Sequence, residues 1–64
     1  MIEVFVCLRL ERVLLLTEIV RIEKIQGVLK VIVLERYSMV VVEPSCEVDE
    51  VKGEIENVIA ENLS

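Results

Sequence analysis

Residues 31–43 read VIVLERYSMVVVE, with apolar residues at odd and even positions on both sides of a short polar turn, ERYS. Successive side chains of a strand point to opposite sides of a sheet. Val31 and Val33 therefore face one way, and Ile32 and Leu34 the other. An antiparallel sheet with one wet face alternates apolar with polar residues, so a sheet built from these strands needs cover on both faces. The chain has 64 residues. A domain of that size buries only about 60% of the surface its unfolded chain exposes. Small domains offset such a deficit with disulfides, a metal or oligomerisation.

The rest of the chain supplies the other elements. Ile2, Val4, Val6, Leu8 and Leu10 alternate with Glu3, Phe5, Cys7, Arg9 and Glu11, the period of a strand. From about Glu11 the period changes. Leu15, Leu16, Ile19, Val20, Ile22 and Ile25 recur at three- and four-residue steps, with Glu11, Arg12, Glu18, Arg21, Glu23 and Lys24 between them. That pattern predicts an amphipathic helix with a wide apolar stripe, stopped at Gly27. Strands over 29–34 and 39–43 follow, and Pro44 ends the second. Asp49 is a candidate cap for a second helix, whose inward face would be Val51, Ile55, Val58, Ile59 and Asn62 or Leu63. Gly53 weakens that helix by up to ~1 kcal/mol relative to Ala.

The expected order is βαββα in a single domain over 1–64. This is an α+β, two-layer ferredoxin-like sandwich: an antiparallel sheet with both helices on one face, and a split βαβ unit short of its final strand. The first crossover should be right-handed, placing strand one beside strand three. Val4, Val6, Leu8, Val31, Val33, Val40 and Val42 would point at the helices. Glu3, Phe5, Cys7, Arg9, Lys30, Ile32, Leu34, Met39, Val41 and Glu43 would lie on the open face. Phe5, Cys7, Ile32, Leu34, Met39 and Val41 make a contiguous apolar patch larger than soluble monomers usually expose. The expected partner for that interface is a second copy about a two-fold axis, or another protein.

Charge and composition exclude other classes. Residues 1–42 hold six basic and five acidic residues, whereas 43–64 hold Lys52 and seven acidic ones, for a net charge of −5. Phosphate backbones and anionic membranes reward clustered Lys and Arg, so neither nucleic acid nor membrane is an expected partner. No apolar run approaches the ~18–20 residues of a membrane span. The start of the chain lacks the h-region of a signal peptide, so the cytoplasm is the expected location. Abundant Glu, Val and Ile with no His also fit a thermophile's composition.

Chemistry has little to work with. The chain has no His, so no Ser-His or Cys-His nucleophile pair forms within it. Gly27 and Gly53 are isolated, so no phosphate loop is present. The spacing of the carboxylates, Glu50, Glu54 and Glu61 among them, singles out no acid/base pair. Cys7 and Cys46 are expected at opposite ends of the sheet, too far apart for a disulfide or shared metal. Cys7 reads as a small apolar residue and Cys46 as an exposed loop thiol. No catalytic residue, cofactor or metal is expected, and the chain does not read as an enzyme.

Two families share parts of this pattern. I-E-V-F-V over 2–6, Gly27-Val28-x-x-Val31-x-Val33, Val40-x-Val42-Glu43-Pro44, and Val48 with Ile55 and Ile59 together resemble the heavy-metal-associated domain. The resemblance implies the ferredoxin-like fold. That family binds metal through Cys-x-x-Cys at the start of helix one, where residues 10–13 here read LERV. No ligand residue carries over, because thiolates are what select soft metals there. The effector domains of leucine-responsive regulators also have βαββα order, with Gly-x-Tyr-Asp in a strand turn. Here the turn is Glu35-Arg36-Tyr37-Ser38, in which only the Tyr matches. This second resemblance implies association through sheet faces. The expected function is a non-catalytic binding or oligomerisation module. The alternative is a degenerate metal- or redox-related accessory domain of the heavy-metal-associated type.

Overall fold

The computed structural model describes residues 5–63. Ile2, Glu3 and Val4, expected in the first strand, lie outside the described residues. The elements are β1 (Val6–Leu10), α1 (Leu16–Glu23), β2 (Val28–Val33), β3 (Ser38–Val42) and α2 (Val48–Leu63). β3 lies between β1 and β2 and is antiparallel to both. This is the expected α+β sandwich. β1 and β2 are therefore parallel to each other, and α1 is the crossover between them.

The inward parity of the strands holds for the residues over the core, but Val33, expected to face the helices, is 38% exposed and lies outside it, at the end of the outer strand β2. Val40 and Val42 are fully buried and share a core with Ile22 of α1 and Val51, Ile55 and Val58 of α2. Val6, Leu8, Leu10, Val28 and Val31 pack against that core. β2 keeps its parity through a bulge: Val28 faces Val42, Lys30 faces Val41, and Leu29 is the extra residue between them.

The first helix departs from expectation. It begins at Leu16, with Leu15 as its extended N-cap, because tertiary hydrogen bonds hold the preceding segment out of the helix. The Ser38 hydroxyl accepts the Leu14 N–H and donates to the Arg12 carbonyl. Glu18, expected on the polar face, is fully buried. Its carboxylate accepts the Leu15 N–H at 2.9 Å and both arms of a contact from Arg12 Nη2 at 3.0 and 3.1 Å. Burying a carboxylate is tolerable only when it is paired and hydrogen-bonded in this way. Leu14 is buried in place of Leu15, Leu16 and Val20, which are exposed.

Other details shift less. α2 begins one residue before Asp49, which sits in its acidic first turn, where a carboxylate suits the helix dipole. Val51, Ile55, Val58 and Ile59 form its inward face, while Asn62 is exposed. Gly27 has φ +98°, and its carbonyl accepts the Glu43 N–H at 2.7 Å. A Cβ there would lie 2.6 Å from Cys46 Sγ, so both backbone angle and space require glycine.

Candidate functional site: the open face of the sheet

With both helices on one side, no described element covers the other side of the sheet, and the ladder fixes its layout. Cys7, Val41 and Lys30 form one row across β1, β3 and β2; Arg9, Met39 and Ile32 form the next. The Leu34 N–H donates to the Tyr37 carbonyl at 2.8 Å, which adds a third row. Apolar residues run diagonally through these rows, from Phe5 and Cys7 through Val41 and Met39 to Ile32 and Leu34. Of the six expected interface residues, the ladder brings together Cys7, Val41, Met39 and Ile32, the Leu34–Tyr37 hydrogen bond adds Leu34, and Phe5 precedes β1, one residue before its first pair. Phe5 is 48% exposed and Leu34 39%. Cys7 is exposed, and the central Ile32, Met39 and Val41 are half-buried.

The charged residues frame this band. Lys30 stands on one side of it. On the other, the Arg9 guanidinium lies 4.0 Å from the centre of the Tyr37 ring, and its Nε is 2.6 Å from Glu11. Arg9 thereby lays its aliphatic stem over the sheet and keeps its charge in water. Glu43, expected on this face, is turned off it: its carboxylate lies 4.0 Å from Cys46 Sγ.

The cysteines are arranged differently from expectation. Cys7 pairs with Val41, near the end of β3 from which the chain runs on to Cys46. The two thiols therefore sit toward the same end of the sheet, because antiparallel pairing sets the start of β1 beside the end of β3. What separates them is the sheet itself. Cys7 is on the open face, while Cys46 packs on the helix side against Gly27 and the core. Both are free, and Cys46 is half-buried rather than an exposed loop residue. Beside it, Gln26, Glu47, Glu50, Val51 and Glu54 complete a cavity of about 260 Å³. Among the described residues, no group of three or more His, Cys, Asp or Glu is placed to hold a metal ion.

One apolar surface escaped the periodicity. Leu16 is 76% exposed and Leu15 55%, more than Phe5 or Leu34 on the sheet face. The apolar stripe of α1 is wider than the core can cover, and its surplus wraps onto the outside of the helix.

Comparison with protein-family models, with curated proteins and with solved structures finds no match. Among the described residues, no helix is long and apolar enough to cross a membrane.

Proposed function

We propose that this protein is a non-catalytic, cytoplasmic interaction module that self-associates through the open face of its sheet. Phe5, Cys7, Ile32, Leu34, Met39 and Val41 form the contact, and a second copy is the partner. The observation that carries this reading is the apolar band across all three strands on the face that neither described helix covers. Burying apolar area is the main favourable term in association, and a domain this small has few other sources of stability. The framing charges, Lys30 on one side and the Arg9–Glu11 pair on the other, form a polar rim of the kind interfaces show.

The test is molar mass by light scattering across a concentration series, with and without reductant. The expected result is a reductant-insensitive oligomer that Met39→Lys and Val41→Lys each reduce in mass while the circular dichroism is kept. A lysine in a dry interface is costly, whereas the same lysine on a solvated face is not. A monomeric wild type, or variants of unchanged mass, would overturn the reading.

A further inference from the structure

Solvent-exposed apolar side chains gather on one flank of the molecule. Of the eight large ones exposed among the described residues, six lie on α1, its N-cap, β2 or the residue after it: Leu15, Leu16, Val20, Leu29, Val33 and Leu34. Arg21 of α1 meets Glu61 of α2. At 100° per residue, Leu15 and Ile19 therefore lie on the flank of α1 away from α2, and α1 packs over β2. Leu16 and Val20 continue the stripe outward.

β2 is also an outer strand of the sheet. Proteins usually blunt such edges with charges, Pro or bulges. The bulge at Leu29 and the charge of Lys30 protect the first half of β2. Residues 31–34, VIVL, carry no such device. Along an antiparallel strand the backbone groups point alternately toward and away from the neighbour. Since the Leu34 N–H points at Tyr37 of the neighbouring chain segment, Val31 and Val33 turn their N–H and C=O groups to the free edge.

We infer that β2 pairs antiparallel with β2 of a second copy about a two-fold axis at Ile32, joining two three-stranded sheets into one. In that register Val31 of each copy exchanges both hydrogen bonds with Val33 of the other. The two α1 helices then approach each other above the seam, with Leu15, Leu16 and Ile19 turned toward it, while Val20, about 160° around the helix from the buried Ile22, faces water. The symmetry of the edge favours a second copy as the occupant. Its outward-turned residues, Val31 and Val33, lie on either side of Ile32, so each copy offers the other the same pair of donors and acceptors. The register also sets Lys30 opposite Leu34 of the other copy, keeping the two Lys30 side chains apart.

The seam uses the backbone edge of β2 and the flank of α1, whereas the open-face contact uses side chains of the sheet, Ile32 and Leu34 at the end of β2 among them, and one experiment on the full chain separates the two contacts. Amide hydrogen exchange and light scattering are measured for the wild type, for Met39→Lys, which lies on the central strand, and for Met39→Lys combined with Leu16→Glu. Leu16 is exposed, so its replacement leaves the fold intact. The expected result is that Met39→Lys remains at least dimeric, with slow exchange at Val31 and Val33. Adding Leu16→Glu should raise the dissociation constant by about a hundredfold or more, since each copy would bury a charge, and should release both amides. A Met39→Lys monomer with fast exchange at Val31 and Val33 would overturn edge pairing and leave the open-face reading standing. A monomeric wild type would overturn both.

Discussion

Ser38 and Leu14 are joined across the fold: the buried hydroxyl of the first residue of β3 accepts the Leu14 N–H at 3.1 Å. The same hydroxyl donates to the Arg12 carbonyl at 2.9 Å. One side chain thus serves two backbone groups of the segment that leads into α1. Ser38→Ala would leave the Leu14 N–H buried without a partner, at a cost of about 1–3 kcal/mol. The check is the urea midpoint, which should fall while the slope stays constant. An unchanged midpoint would show that water replaces the hydroxyl.

Glu18 ties the same segment from the helix side. Glu18→Ala removes the acceptor of the Leu15 N–H and strands the half-buried Arg12, whose Nε has no hydrogen-bond partner among the described residues. The expected loss is about 2–4 kcal/mol, somewhat below the cost of breaking a fully buried pair because the Arg12 side chain is 30% exposed. Glu18→Gln keeps an oxygen for the Leu15 N–H and should lose less. Equal losses in thermal unfolding would mean that the charge alone matters.

The two glycines should respond in opposite directions. Gly27→Ala forces a Cβ into the left-handed region at about 1–2 kcal/mol and pushes it against Cys46 Sγ. Adding Cys46→Ala should recover only the steric part. Gly53 lies inside α2 with open space where a Cβ would go. Gly53→Ala should therefore stabilise the fold by about 0.5–1 kcal/mol. Chemical denaturation of the three variants measures both signs.

The metal-module alternative makes its own prediction. Such a module would bind Cu(I) or Zn(II) with a dependence on Cys7 or Cys46, the two thiols that lie on opposite faces of the sheet. Under the interaction reading, Cys7→Ser leaves molar mass unchanged and titration with either metal gives no stoichiometric step. A stoichiometric Cu(I) site lost in Cys7→Ser would turn the assignment to the metal module.

Strand faces were legible because period two ties the side of each residue to its parity, so Val40 and Val42 fell inward and Met39 and Val41 outward. The start of α1 was not. Residues 11–14 fit a helical period, but their backbone is captured by Ser38 from 24 residues away. The burial of Glu18 had a local signal: it stands three residues after Leu15, the capping-box position, with Arg12 six residues before it. The wide apolar stripe of α1 showed that the helix packs, not which part of the stripe does. The relation of Cys7 to Cys46 was missed through register rather than chemistry, since Cys7 sits at the start of the strand as it is paired. The open-face residues were legible as neighbours. No pattern within one chain names a partner for them.

The bulge in β2 carries a consequence for insertions and deletions. Loss of one codon within a strand normally turns every following side chain to the wrong face. Leu29 is the exception, because it is the residue that no partner on β3 matches. With Leu29 removed, Val28 would still face Val42, the former Lys30 would still face Val41, and each later side chain would keep its side. The shortened strand would read VKVIVL, in plain alternation up to the turn. Within β2, position 29 is where the reading frame of the fold can lose a residue without losing its sense.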